Sequence, residues 1–88
     1  MFEVFFSNQA KKFIDNCEPT LRDRLKILFK VLADAPVPAK DFDTRKLEGT
    51  EDCYRIRLSS YRILYQARFH ERQVHVLKIE RRSETTYG

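Results

Sequence analysis

Residues 52–66 read DCYRIRLSSYRILYQ, and the alternation in this stretch decides the fold. Tyr54, Ile56 and Leu58 alternate with Arg55 and Arg57, Ser59–Ser60 make a turn, and Tyr61, Ile63, Tyr65 and Ala67 then alternate with Arg62, Leu64, Gln66 and Arg68. Successive side chains on a strand point to opposite faces, so period-two alternation reads as two half-buried strands. A two-residue connection makes them an antiparallel hairpin. Its apolar face must lie on the core, and a slip of one residue would turn that face to water, so the register is set. Arg55, Arg57 and Arg62 then share the other face. Like charges across an antiparallel pair repel, which suits a surface made to receive an anion. The planar fork of arginine grips phosphate with two parallel hydrogen bonds, and the hairpin reads as a platform for phosphates.

Downstream, His70, Glu71 and Arg72 form a turn and residues 73–80 a further strand. That strand is apolar at both parities (Val74 and Val76; Leu77 and Ile79), which suits a more central position and leaves its faces unassigned. Upstream, Phe2–Phe6 is a short strand. Ser7 is a good N-cap for a helix whose Ala10, Phe13, Ile14 and Cys17 form one stripe. Pro19 suits the first turn of a second helix, along which Leu21, Leu25, Leu28 and Leu32 recur at helical spacing, and Pro36 and Pro38 bar its continuation past Asp34. Residues 35–52 are a linker in which Lys46–Leu47 pair briefly with the sheet and Gly49 turns. The expected fold is α+β: a small antiparallel sheet of about four strands packed on an N-terminal αα-hairpin, in the order β-α-α-β-β-β, as a single domain over residues 1–88.

The chain has 88 residues, 42% hydrophobic and 34% charged, the balance of a folded domain rather than a disordered one. A domain of this size buries about two-thirds of its unfolded surface, so its stability is expected to be modest. No apolar run approaches the roughly 20 residues of a membrane span, and the opening MFEVFFSNQ reads as a strand rather than a signal peptide. Cys17 and Cys53 lack a metal or redox spacing and read as two buried thiols in a reducing cytoplasm. Charge is uneven: residues 1–43 balance at 7 basic and 7 acidic, while residues 44–88 hold 10 basic, eight of them arginine, and 6 acidic.

Other chemistry is sparse. His70 and His75 have no partners at metal spacing, Ser59 and Ser60 sit in a turn without a nucleophile motif, and no phosphate-binding glycine loop or zinc pattern occurs. Glu80 and Glu84 lie among arginines and read as ion-pair partners. Tyr61 and Tyr87 are the candidates for base stacking.

The ordered set K-L-x-G (46–49), D-C-Y-R-I-R-L (52–58), Y-R-I-L-Y-Q (61–66) and R-R-S-E-x-x-Y (81–87) resembles the RelE toxins of the RelE/ParE superfamily, over nearly the whole chain. The resemblance implies a toxin held inactive by a cognate antitoxin, acting as a ribosome-dependent mRNA endonuclease that needs no metal or cofactor. The 2′-hydroxyl of the message attacks the adjacent phosphate and the 5′-oxygen leaves. It further implies catalytic roles for Arg62 and Arg57 at the phosphate, for Arg82 after the last strand, and for Tyr87 at the 2′-hydroxyl. Arg55, Arg81 and Lys46 are implied RNA-binding residues. One of Arg81 and Arg82 matches the family's basic residue at that place. Some members carry lysines where Arg55 and Arg57 stand, and arginine, with a pKa above about 12, scarcely gives up a proton, so the resemblance leaves the general acid unnamed. Two other readings compete: a ParE-like poison of DNA gyrase, and a non-catalytic ribosome- or RNA-binding module. An acidic antitoxin segment, the ribosome and mRNA are the expected partners, with no membrane among them.

Overall fold

Ser7 starts the helical layer as expected. Its backbone is extended, and its hydroxyl accepts a hydrogen bond from Ala10 N at 3.1 Å while donating one to Leu77 O at 2.8 Å. In the computed structural model, which describes residues 1–82, the chain runs β1 (Glu3–Phe6), α1 (Asn8–Asn16), α2 (Pro19–Asp34), β2 (Asp43–Lys46), β3 (Cys53–Leu58), β4 (Tyr61–Arg68) and β5 (Gln73–Arg81). Pro19 stands at the start of α2, and the C-cap Ala35 returns its N–H to Val31 O. Leu21, Leu25, Leu28 and Leu32 are buried against Ile56, Ile63, Tyr65, Val74, Val76 and Ile79 of the sheet. Burial of such side chains is worth about 1.5–3 kcal/mol each relative to exposure. Tyr65 carries a polar group into this core. Its hydroxyl donates to Pro36 O at 2.6 Å, and burial pushes the phenol's pKa up.

The sheet order is β1-β5-β4-β3-β2, which corrects two expectations. Among the described residues there are five strands rather than about four, because Asp43–Lys46 pairs with β3 as an edge strand. Its sequence, DTRK, lacks the apolar alternation by which a strand is recognised. The sheet is also mixed rather than antiparallel: β1 runs parallel to β5, with Val4 opposite Val74 and Phe6 opposite Val76. The αα-hairpin carries the chain from β1 at one edge of the sheet to β2 at the other, and the meander then returns to lay β5 beside β1.

β5 lies between β1 and β4, and its double parity has a geometric origin. Tyr65 pairs with Val76 and Leu64 with Lys78, so Leu77 is an extra residue at a β-bulge. A regular ladder through Leu77 would turn Lys78 and Glu80 into the core. The bulge absorbs Leu77 and keeps Val74, Val76 and Ile79 buried. α1 starts on this irregularity: Ser7 N donates to Val76 O at 2.9 Å. Two residues further, Gln9 holds both backbone groups of Ile79, donating from Nε2 to the carbonyl at 2.9 Å and accepting at Oε1 from the N–H at 3.0 Å. The side-chain amide thus continues the edge pairing beyond the end of β1.

Candidate functional site

The face of the sheet away from the helices is built from the register outward, since directly opposed residues project to the same side. One row across the strands is Asp43, Arg57, Arg62 and Glu80; the next is Arg45, Arg55, Leu64 and Lys78; a third is Cys53, Gln66, His75 and Phe5. Arg57 and Arg62 therefore stand opposite one another at the end of the hairpin, flanked by an acid on each side.

The flanking acids act unequally. Glu80 bridges two bases, with Oε2 at 3.2 Å from Arg62 Nε and Oε1 at 3.3 Å from Lys78 Nζ. The first is an ion pair by distance only, because the Arg62 N–H is not aligned on the oxygen and Nε, although buried, lacks a hydrogen-bond partner. Asp43 reaches Arg55 at 3.7 Å. Arg57 is exposed and, among the described residues, has no ion-pair partner within 4.0 Å. Among the described residues the row thus offers one cation without an ion-pair partner beside another held by a carboxylate.

Arg55 belongs to the same face but is only 9% accessible. Burial first, and then the neighbouring Arg57, pull its guanidinium below the ordinary arginine range, with Asp43 working against them. A guanidinium nevertheless stays charged. Its position makes it a buried source of positive potential beneath Arg57 and Arg62 rather than an open contact.

Arg82 follows β5, its N–H donating to Ser60 O at 2.7 Å and its Nη1 to Ser59 O at 3.4 Å. Ser59 takes φ of 59°, a left-handed conformation costly for a residue with a Cβ. Arg82 is thus tied to the turn that closes the hairpin, next to the Arg57–Arg62 pair.

Of the residues read from the sequence, the structure brings Arg57, Arg62 and Arg82 to one end of the sheet and buries Arg55 beneath. Lys46 and Arg81 fall on the opposite face of the sheet. Lys46 pairs with Tyr54 on the helix side. Arg81 pairs with Tyr61 and lines a cleft of about 400 Å³ with Phe13, Cys17 and Glu18. Tyr87 and Glu84 lie outside the described residues. Arg45 and Lys78 share the arginine face and were missed. Knowing that residues 43–46 form a strand would have revealed Arg45 by parity; for Lys78 no sequence signal marked the bulge. His75 stacks on Phe5, their ring centres 4.9 Å apart, and its Nε2 lies 2.9 Å from Gln73 Oε1. Cys17 and Cys53 are free thiols, half-buried rather than buried as expected; desolvation, then Asp52, raises the pKa of Cys53.

Comparison with known proteins bears on what such a face does. Residues 4–86 match the family described as the ParE toxin of the type II toxin–antitoxin system parDE. A toxin candidate, RelE1 of Methanocaldococcus jannaschii, is 28% identical over 81 residues, 92% of this chain and 90% of that protein. Among solved structures, the RelE–RelB complex from Pyrococcus horikoshii OT3 superposes with a TM-score of 0.86 at 30% identity, covering 96% of this chain and 98% of that one. The isolated E. coli RelE toxin gives 0.81 at 27% identity, covering 97% and 88%.

Proposed function

The chain belongs to the ParE toxin family of type II toxin–antitoxin systems, and from that membership and its RelE relatives we propose that this toxin is a ribosome-dependent mRNA endonuclease. The observation that carries the reading is the opposed pair Arg57–Arg62 with Arg82 tied to the adjoining turn. Arg57 and Arg62 oppose one another with Arg82 bonded to the adjoining turn, and preorganised cations stabilise charge as it develops on a phosphorane. In this reading Arg62 and Arg57 hold the non-bridging oxygens and Arg82 approaches from the turn. Tyr87 orients or deprotonates the 2′-hydroxyl. Arg55 raises the potential from below, and Arg45 extends the track for the RNA backbone.

The partners follow from the same chemistry. An acidic segment of a cognate antitoxin would cover the arginine face, and the Pyrococcus horikoshii and E. coli relatives were solved as complexes with RelB. The ribosome supplies the message, so the site of action is the cytoplasm.

The test is translation in vitro followed by primer extension on the message. The wild-type protein cuts message on ribosomes and leaves free RNA intact. Arg62→Ala reduces cutting by at least about 10²-fold, the usual loss when a transition-state donor is removed, with an unchanged circular dichroism spectrum. Cutting by Arg62→Ala at the wild-type rate would remove Arg62 from the site. The family match favours one other reading, a gyrase poison of the ParE kind. Gyrase-linked DNA breaks after induction, with translation running normally, would select it.

A further inference from the structure

We propose that Lys78 is the general acid of this site, donating a proton to the 5′-oxygen that leaves as the message is cut; the assignment rests on the ribonuclease reading above. The strands contain two lysines, Lys46 and Lys78. Lys46 projects to the helix side with Tyr54, whereas Lys78 stands on the arginine face opposite Leu64. It is there because the bulge absorbs Leu77. Arginines dominate the rest of the face, and a guanidinium holds its protons while an ammonium can transfer one.

Position selects Lys78 over His75, the other candidate donor on this face. Two residues along a strand span about 7 Å, so Lys78 lies one step from the Arg62 row and His75 two. His75 is also stacked on Phe5 and within hydrogen-bonding distance of Gln73. Lys78 Nζ already shares an anion with Arg62: the Glu80 carboxylate stands 3.3 Å from Nζ through one oxygen and 3.2 Å from Arg62 Nε through the other. A phosphate that engages Arg62 is therefore within reach of the Lys78 ammonium. Lys78 is half-exposed, at 53%, and free to swing from the carboxylate to a substrate oxygen. Glu80 acts as a positioning residue that parks the lysine beside Arg62.

In the step, the 2′-oxygen bonds to phosphorus and its proton passes to a base, the role proposed for Tyr87. The P–O5′ bond breaks with its electron pair on O5′, which takes a proton from Lys78 Nζ. The products are a 2′,3′-cyclic phosphate and a 5′-hydroxyl end, and the neutral amine recovers a proton from water.

The experiment is single-turnover cleavage on ribosomes programmed with either an ordinary message or one carrying sulfur at the bridging 5′ position of the scissile bond. A thiolate leaves without protonation. Lys78→Ala and Lys78→Arg are each expected to cut the ordinary message about 10²–10⁴-fold more slowly than the wild type, the usual loss for a missing acid, and to cut the sulfur message at the wild-type rate. Equal slowing on both messages overturns the assignment. So does normal cutting of the ordinary message by Lys78→Ala, or its restoration by Lys78→Arg, which keeps the charge alone. A wild-type protein that cuts neither message overturns the ribonuclease reading and the acid assignment together, whereas the preceding outcomes overturn the acid alone.

Discussion

Arg57 and Arg62 face each other across two strands, an arrangement that costs stability, since like charges directly opposite repel by about 0.2–1 kcal/mol. Arg62 is relieved by Glu80 at 3.2 Å, whereas Arg57 has no such partner among the described residues. The repulsion is retained where a phosphate would be bound, as expected when function and stability compete for one residue. Arg57→Thr removes the repulsion and places a β-branched residue on an exposed strand position. It is expected to raise stability by about 0.5 kcal/mol in urea unfolding while slowing message cleavage. A loss of stability would show that Arg57 is held by interactions other than those described. That Arg57 and Arg62 share a face was legible from alternation alone. That Arg55, on the same face by the same rule, is 9% accessible was not, because accessibility depends on the cross-strand neighbours Arg45 and Leu64 and on the reach of Asp43.

Among the elements, β5 departs most from its sequence pattern. Apolar residues at both parities read as a central strand without a face, and the bulge at Leu77 resolves them. The bulge is stabilised from outside the sheet, by Ser7 bonded to Val76 and Leu77 and by Gln9 bonded to Ile79. Gln9→Ala would leave two part-buried backbone groups of Ile79 without partners. Each unsatisfied group costs about 1–3 kcal/mol, discounted here by partial access to water, so a net loss of about 1–2 kcal/mol is expected. In a domain of this size that is a fall in Tm of at least about 4 °C, measurable by calorimetry. An unchanged Tm would mean that water replaces the amide without cost. β2 makes the complementary point, for its four polar residues become a strand only because β3 offers an edge with Arg55 opposite Arg45.

Residues 1–82 form two layers that bury the leucines of α2 against the sheet and present five bases and two acids on two rows of the open face. Such a surface attracts any polyanion, and the proposed antitoxin mask must compete with RNA for it. The affinity of the toxin for its antitoxin is accordingly expected to weaken as salt rises, because the screening length shrinks from about 10 Å at 0.1 M to about 3 Å at 1 M. Calorimetric titration across that range checks it, and a Kd independent of salt would place the mask on apolar contacts instead. By itself the sequence determined the two helices, the meander of β3, β4 and β5, and the common face of Arg55, Arg57 and Arg62, since each rests on local periodicity. The ordered residues from Lys46 to Tyr87 also carried the family, which residues 4–86 match. Tertiary structure alone decided the parallel seat of β1, the bulge, the burial of Arg55, the exclusion of Lys46 and Arg81 from the arginine face, and the arrival there of Lys78. All of these depend on which strand lies beside which, and that is set by packing between segments far apart in the chain rather than by the pattern within any one of them.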